Sequence, residues 1–227
     1  MKKAGIVGGI GPASTVDYYR GIVERVRAQG GDYPEIVIDS VNMTEMLSLV
    51  QGGEWDALVR MLLRTIKNLA NAGAELAAIA SNTPHIVFDR VSEASALPLI
   101  SIVEATCLHA RAKGCQKIAV IGTRFTMASG LYSEAFKRHG MEAILPSPAQ
   151  QEAIHNLFFP NLENGIVVPE DKQKMLAIVN QLITEHRADA LCLGCTELPL
   201  MLHDGDLDTL LLNTIQIHIA AIVNAML

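Results

Sequence analysis

The stretch Lys3-Ala4-Gly5-Ile6-Val7-Gly8 recurs 114 residues later as Lys117-Ile118-Ala119-Val120-Ile121-Gly122. Each copy has a lysine, four mostly aliphatic residues and a glycine, a pattern typical of a short buried strand that ends in a tight turn. The same offset relates Tyr18 to Tyr132. Because 114 residues is half of the 227-residue chain, we interpret the pattern as the tandem duplication of a whole domain, since solenoid repeats are far shorter.

Short aliphatic runs alternate with helical patterns in both halves. The predicted strands are 4–7, 35–38, 76–80, 97–102, 117–121 and 190–193. The predicted helices are 14–28, 54–72, 127–139 and 171–186. Such alternation indicates a mainly parallel sheet with helices on both faces. The sequence therefore predicts an α/β fold of two similar lobes that enclose a cleft. We assign residues 1–98 and 211–227 to the first lobe, and residues 99–210 to the second.

Charge and hydropathy exclude two kinds of partner. The net charge is −6, the isoelectric point is near 5.6, and the lysines and arginines are scattered. This distribution lacks the basic patch of a nucleic-acid-binding protein. No apolar run approaches the ~20 residues that span a bilayer, and the apolar N-terminal stretch is too short for a signal peptide. We expect neither a nucleic-acid partner nor a membrane partner.

The cysteines predict a cytoplasmic protein with reduced thiols. They are Cys107, Cys115, Cys192 and Cys195. Cys192 and Cys195 form a nominal C-x-x-C motif, but Cys192 falls inside an apolar run, so we disfavour thioredoxin-like chemistry. The spacing of Glu197, His203 and Asp206 fits no common ligand set, and we predict no metal site.

Two polar runs follow predicted strands and are related by the same offset. They are Ala80-Ser81-Asn82-Thr83-Pro84-His85 and Gly194-Cys195-Thr196-Glu197-Leu198-Pro199. Ligands of open parallel sheets bind at the carboxyl ends of the strands, where loops and helix N-termini converge. Ser81 and Cys195 are therefore candidates for two catalytic groups that meet across the cleft.

Cys195 is the stronger candidate of the two. It follows a buried strand, and we expect it in a strand-to-helix turn, where the helix dipole and free N–H groups lower the pKa of a thiol. The alternative is a buried cysteine that acts as a small hydrophobic residue. The matched position of Ser81 favours catalysis.

Ser81 is the weaker candidate, because a hydroxyl ionises far less readily than a thiol and no activating base is evident beside it. His85 is expected to lie along the following helix. Asn82 and Thr83 supply groups that can bind a carboxylate. Serine, asparagine and threonine are, however, also common turn and helix-capping residues, so residues 81–83 could serve only that purpose.

The Gly-rich segment 8–15 follows the first strand. It is not a dinucleotide fingerprint, since Pro12 follows its third glycine. We expect close approach of its backbone to a small carboxylate, with Ser14 or Thr15 capping the next helix. The segment 122–126 is its counterpart and is interpreted in the same way.

Together, the Gly-Gly-x-Gly-Pro turn at 8–12, the run 81–85 and the run 194–197 resemble the aspartate/glutamate racemase family, within the wider Asp/Glu/hydantoin racemase superfamily. The resemblance covers nearly the whole chain. It implies two α/β lobes related by a pseudo-twofold axis with the site in the cleft, a homodimer, no cofactor, and a small carboxylic or amino acid as substrate.

The resemblance also implies site residues. In that family one cysteine removes the α-proton of an amino acid as a thiolate, while a second delivers a proton to the opposite face. Cys195 matches the second cysteine, and Ser81 stands at the position of the first. The residues expected to bind substrate are Gly9, Ile10, Asn82, Thr83, Thr123, Thr196 and Glu197.

Ser81 leaves the activity open. The serine is natural and makes the enzyme favour one enantiomer, or it is an engineered replacement, or the chain has lost racemisation. The expected function is a racemase of aspartate, glutamate or a related small acid. The alternatives are a carboxylate-binding pseudoenzyme and a single-cysteine decarboxylase or isomerase of small diacids. The segment 42–46 lacks the arginine with which some aspartate-specific members grip the substrate side chain, so the substrate stays open.

Overall fold

The computed structural model describes all residues from 1 to 227, and they form two compact units. The first unit comprises Met1–Ala105 and Ile215–Leu227, and the second comprises Thr106–Thr214. Each unit contains one four-stranded parallel sheet flanked by helices. The predicted α/β fold of two similar lobes is confirmed.

The strands, in chain order, are β1 (Ala4–Gly8), β2 (Ile36–Ser40), β3 (Leu76–Ile79), β4 (Leu99–Ile100), β5 (Lys117–Ile121), β6 (Glu142–Ile144), β7 (Ala190–Leu193) and β8 (Leu210–Asn213). The helices are α1 (Pro12–Ala28), α2 (Met43–Gln51), α3 (Trp55–Asn71), α4 (Phe88–Ala94), α5 (Ile102–Ala112), α6 (Arg124–Ala128), α7 (Leu131–Arg138), α8 (Pro148–Asn156), α9 (Pro169–His186), α10 (Leu198–Met201) and α11 (Thr214–Met226). Short 3₁₀ helices cover Thr83–Val87 and Leu162–Asn164. None of the helices has the length and hydrophobicity of a membrane span.

The two sheets have the same topology. Their strand orders are β2-β1-β3-β4 and β6-β5-β7-β8, and every pair is parallel. Ala4 pairs with Leu76 in the first sheet, and Ile118 pairs with Ala190 in the second. Both partners of this central pair are shifted by 114 residues, so the duplication extends to the pairing register.

Strand pairing places both unit boundaries later in the chain than predicted. β4 pairs with β3, so residues 99–100 belong to the first sheet. β8 pairs with β7, so residues 211–213 belong to the second sheet. Edge strands as short as these have too few residues to show a pattern of their own in the sequence. Of the predicted strand 97–102, only the two residues of β4 form a strand, and α5 begins at Ile102.

Each unit has its own apolar core. In the first, β1 and β3 pack against α1 and α11 through a cluster that includes Tyr18, Ile22, Ile219 and Val223. A Cβ atom on Gly21 would lie 2.7 Å from Ile219 Cδ1, so the glycine lets α1 and α11 approach closely. In the second, the cluster joins β5 and β7 to α8 and α9. The sheets are thereby fixed beneath the loops at their carboxyl ends.

Candidate active site

The end of β7 is held tightly against β5. Gly194 N–H donates to the carbonyl of Ile121 at 2.8 Å. A Cβ atom on Gly194 would lie 2.9 Å from that same oxygen, and one on Gly122 would lie 3.0 Å from the carbonyl oxygen of Gly194. Two glycines therefore allow this contact, which fixes the backbone immediately before Cys195.

Cys195 is half-buried and is directly linked to a carboxylate. Its Sγ donates to Glu197 Oε2 at 2.9 Å, and Thr196 Oγ1 donates to the same oxygen at 2.9 Å. Cys195 packs on the apolar core of the second unit. Burial and the negative charge of Glu197 raise the pKa of the Cys195 thiol well above its usual range. The resting group is therefore a thiol.

The expectation of a lowered pKa at Cys195 was wrong, and the reason is local. The backbone N–H groups of Thr196 and Glu197 do lower the pKa, but burial and the Glu197 carboxylate outweigh them. The helix that follows, α10, spans only Leu198–Met201. A single turn contributes little dipole, because the macrodipole grows from many aligned peptides.

The end of β3 repeats the backbone geometry of the end of β7. Ala80 N–H donates to the carbonyl of Val7 at 3.0 Å, which is the equivalent of the Gly194–Ile121 bond shifted by 114 residues. Ser81 follows and is buried, with 8% of its surface exposed. Asn82 and Thr83 lead into the 3₁₀ helix. Asn82 accepts from His85 N–H through its carbonyl, and its side chain makes no cap.

His85 lies in the 3₁₀ helix Thr83–Val87, and its ring joins two loops. Ile102 N–H donates to Nε2 at 3.2 Å, which leaves Nδ1 protonated to donate to the carbonyl of Ser81 at 2.9 Å. Burial lowers the pKa of His85 to about 3, so the ring is neutral at physiological pH. With both nitrogens engaged, His85 positions the Ser81 backbone and supplies no base to its hydroxyl.

The structural role of a second buried histidine, His218, was not predicted from the sequence. Tyr18 Oη donates to His218 Nδ1 at 2.6 Å, and His218 Nε2–H donates to the carbonyl of Ile100 at 2.9 Å. Burial lowers the pKa of His218 to about 4 and raises the pKa of Tyr18. The His85 and His218 rings lie 6.2 Å apart. No sequence spacing identifies this cluster, since Tyr18 and His218 are 200 residues apart.

The Gly-rich turn after β1 is held by a threonine. Gly9 has φ of +84°, and a Cβ atom there would lie 2.5 Å from the carbonyl oxygen of Val41. Thr15 Oγ1 accepts from Gly9 N–H at 2.9 Å and donates to the carbonyl of Gly11 at 3.0 Å. The expected cap by Ser14 or Thr15 was wrong, because Gly11 is the N-cap residue and Pro12 occupies the first turn. Ile10 is buried beside Gly9.

Thr123, the counterpart of Gly9, caps a helix instead. Its Oγ1 accepts from Thr126 N–H at 3.4 Å and lies 3.2 Å from Thr126 Oγ1. Its φ is −64°, an extended conformation that any residue adopts. The hydroxyl thus has a structural partner, and its role toward substrate remains a prediction.

The predicted site residues fall into two groups, each at the strand ends of one sheet. Gly9, Ile10, Ser81, Asn82 and Thr83 lie in the first unit, and Thr123, Cys195, Thr196 and Glu197 lie in the second. No group of three or more His, Cys, Asp or Glu side chains has a metal-binding arrangement.

The Asp/Glu/hydantoin racemase family model matches residues 7–222. The chain belongs to this family. It is 26% identical over 201 residues to the broad specificity amino-acid racemase RacX of Bacillus subtilis (strain 168), covering 86% of this chain and 85% of RacX.

Solved structures of similar proteins agree with this family assignment. A candidate Asp/Glu racemase from Yersinia pestis has a TM-score of 0.92 and 31% identity, and the match covers 100% of the present chain and 99% of the Yersinia chain. An aspartate racemase homologue from Pyrococcus horikoshii OT3 has a TM-score of 0.89 and 32% identity, again over 100% and 99% of the two chains.

Proposed function

We propose that this family member is a cofactor-independent amino-acid racemase that moves the α-proton of aspartate, glutamate or a related small acid. Cys195 carries the proton on one face of the substrate, and Ser81 serves the other face. The observation that supports this most is the repeated backbone geometry, in which Ala80 N–H to Val7 and Gly194 N–H to Ile121 precede the two groups. Equivalent backbone bonds before Ser81 and Cys195 suit a reaction in which one residue acts on each face of the same carbon.

The proposed chemistry is asymmetric. Racemisation requires proton removal from Cα and stabilisation of the enolate-like charge by fixed dipoles, because no pyridoxal ring delocalises it. A thiol is more acidic than a serine hydroxyl by several pKa units. Cys195 therefore exchanges protons more readily than Ser81, which returns one slowly, directly or through a water. We propose that one enantiomer is favoured as a result.

The proposed substrate contacts are the polar groups beside the two carriers. Asn82 and Thr83 would hold the α-carboxylate, together with Gly9, Ile10, Thr123 and Thr196. Glu197 would stand close to the reacting atoms. The side-chain specificity is proposed only as that of a small acid, since α2 carries no arginine in the segment 42–46. RacX, a relative of this chain, is described as broad in specificity.

We also propose a homodimer in the cytoplasm. α2 buries Met46 and Val50 but leaves Met43 41% and Leu47 38% exposed on one face, which supports an interface there. The four cysteines are free thiols, in agreement with a reducing compartment. Sedimentation velocity should detect a dimer that Leu47→Glu converts to a monomer, and a wild-type monomer would contradict the proposal.

The deciding experiment is proton–deuterium exchange at Cα in heavy water, run separately on each enantiomer of aspartate and glutamate and then on other amino acids. Exchange that starts from one enantiomer supports the asymmetric racemase. Measurable binding without exchange of any amino acid would instead support the carboxylate-binding pseudoenzyme. Release of carbon dioxide from a diacid would support the decarboxylase.

A further inference from the structure

Tyr18 and His218 form a buried pair in the first unit that no step of the proposed reaction uses. Tyr18 Oη donates to His218 Nδ1 at 2.6 Å, and neither side chain is exposed. His218 Nε2–H donates to the carbonyl of Ile100 at 2.9 Å. Since a carbonyl oxygen only accepts, this contact fixes Nε2 as the protonated nitrogen and leaves Nδ1 to accept from Tyr18. The pair therefore holds the backbone at the end of β4.

The backbone held by this pair leads directly to His85. Ile102, two residues past the end of β4, donates its N–H to His85 Nε2 at 3.2 Å. His85 Nδ1–H donates in turn to the carbonyl of Ser81 at 2.9 Å. The ring of Phe88 stacks on the His85 ring with centroids 4.9 Å apart, which restricts its rotation. A continuous path of hydrogen bonds and a short piece of backbone thus joins α1 to Ser81.

The same helix also contacts the residue that precedes Ser81. Ser14 lies one helical turn before Tyr18 and is likewise buried on the inner face of α1. Its Oγ donates to the carbonyl of Gly11 at 2.9 Å and also faces the carbonyl oxygen of Ala80 at 3.4 Å. Ser81 therefore follows a residue that α1 contacts directly, and its own carbonyl is held through the two histidines.

We propose that Tyr18 and His218 are positioning residues for Ser81, acting through residues 100–102 and His85 to fix the backbone from which the Ser81 hydroxyl projects. This inference rests on the proposed racemase function and concerns only the face of the substrate that Ser81 serves. Placement matters for such a group, since a shift of about 1 Å can lower a rate by ~100-fold.

The make-up of the path favours placement over stability as its purpose. Paired polar groups in a core can be replaced by apolar groups of the same shape at little cost in stability. A fully paired network, in contrast, holds each member in one geometry. Burial lowers the pKa of His85 to about 3 and that of His218 to about 4, so both rings stay neutral at physiological pH and keep the tautomers that the path requires.

The test removes one hydroxyl from the start of the path. Tyr18→Phe keeps the ring that fills the core and deletes only the donor to His218. Its control is Thr65→Val, which removes another buried hydroxyl of the first unit, one that donates to the Met61 carbonyl of its own helix at 3.1 Å. Each enantiomer of aspartate and glutamate is incubated in heavy water. Chiral chromatography with mass spectrometry then gives two rates, Cα deuteration with retained configuration and conversion to the opposite enantiomer.

The two rates separate the two faces of the substrate. Deuteration with retention needs only Cys195, whereas conversion also needs Ser81. We expect Tyr18→Phe to lower conversion by about tenfold and to change deuteration by less than about twofold. The ratio of conversion to deuteration should therefore fall, in the same direction as in Ser81→Ala. Thr65→Val should leave the ratio unchanged.

Two variants of His218 test the next contact of the path. His218→Gln keeps an amide donor that can reach the carbonyl of Ile100, so it should retain part of the conversion. His218→Asn has a shorter side chain that does not reach this carbonyl, and it should lose conversion as Tyr18→Phe does. Equal conversion in the two variants would contradict a role for this hydrogen bond.

Amide hydrogen exchange measures the same path without a substrate. Tyr18→Phe should lose protection in the segments 81–88 and 99–105, and Thr65→Val should leave both unchanged. An unchanged conversion ratio in Tyr18→Phe, an equal fall of both rates or unchanged protection of 81–88 would overturn the positioning role while the racemase function stands. If the wild type exchanges no amino acid, the proposed function fails, and protection of 81–88 alone decides whether Tyr18 orders the Ser81 segment.

Discussion

The ends of β3 and β7 are two versions of one structure with different chemistry. Both place a residue one position past a backbone bond to the neighbouring strand. At the end of β3 that residue is Ser81, whose carbonyl accepts from a neutral histidine. At the end of β7 it is Cys195, whose thiol donates to a carboxylate. Duplication thus preserved the backbone support, while the ionisable partners diverged.

The turns after β1 and β5 differ in the same manner. Gly8 and Gly122 are equivalent, but the next residue is Gly9 with φ of +84° in one unit and Thr123 with φ of −64° in the other. Only the first turn needs a glycine at this second position. The first turn opens the 17-residue α1 and the second opens the five-residue α6.

Of the changes at the two strand ends, removing the Cys195 thiol should reduce Cα exchange the most. We expect Cys195→Ala to lower Cα exchange by on the order of 1,000-fold, about 4 kcal/mol in barrier, because the main proton carrier is lost. Stability should change little, since the side chain is small and half-buried. Exchange assays with urea titration as the folding control will measure this, and full activity in Cys195→Ala would contradict the site assignment.

Acidification should affect the first unit more than the second. His85 and His218 have lowered pKa values of about 3 and about 4 in the folded protein, whereas an unfolded histidine titrates near ~6.5. The unfolded chain therefore binds protons first, and stability is lost as pH falls below ~6.5. We expect a loss of about 2 kcal/mol per histidine between pH 7 and pH 5.

Urea unfolding and hydrogen exchange read by mass spectrometry at several pH values will locate this loss. The carboxylates with lowered pKa values, Glu35, Asp56 and Asp206, lose their contributions at lower pH. In the second unit, partial burial also lowers the pKa of His109 and His155, but by less than in the two buried histidines of the first unit, so the loss there should be smaller. His218→Asn should flatten the dependence at the cost of stability at pH 7, and the exposed His186→Gln should not. Equal acid protection of both units would contradict the prediction.

The two turns should respond differently to alanine. Gly9→Ala places a Cβ atom against Val41 and forces an L residue to positive φ, so we expect a destabilisation of about 2–3 kcal/mol. Thr123→Ala removes only a helix cap, which costs about 1 kcal/mol. Chemical denaturation of both variants tests this order, and equal losses would remove the distinction between the turns.

The smallest change should make the two strand ends more alike. We expect Ser81→Cys to raise racemisation in both directions by about tenfold, because the second carrier gains a thiol's acidity. Ser81→Ala serves as the control and should lose the slow return of a proton. Rates measured from each enantiomer will show whether the one-sidedness depends on this position, and unchanged rates in Ser81→Cys would disconnect Ser81 from proton transfer.

The fold was predictable because its dominant signals are local or periodic. The repeated glycine-terminated strand at Lys3 and Lys117 specified both β1 and β5, and the helical spacing in 54–72 specified α3. The short edge strands β4, β6 and β8 were poorly predicted, since two to four residues of strand are defined by their partner rather than by their own pattern. The helix α2 was also missed, although Asn42 caps it.

The site was predictable in its positions and not in its electrostatics. The polar runs after apolar segments identified Ser81 and Cys195 from the sequence. The pKa of Cys195 is raised first by burial and then by the Glu197 carboxylate, and the sequence determines neither the burial of the thiol nor the direction in which that carboxylate points. The Tyr18–His218 contact likewise depends on α11 packing against α1, a contact between distant parts of the chain.

The helix α11 completes the core of a unit whose other elements precede residue 106. Ile215, Ile219 and Val223 pack against α1 and β3, and Lys2 N–H donates to the carbonyl of Met226 at 2.7 Å. During translation the interior of the N-terminal unit therefore cannot close until α11 has been synthesised, while the unit encoded between its two parts can fold earlier. We therefore expect the second unit to fold before the first, the opposite of the usual N-terminal-first order.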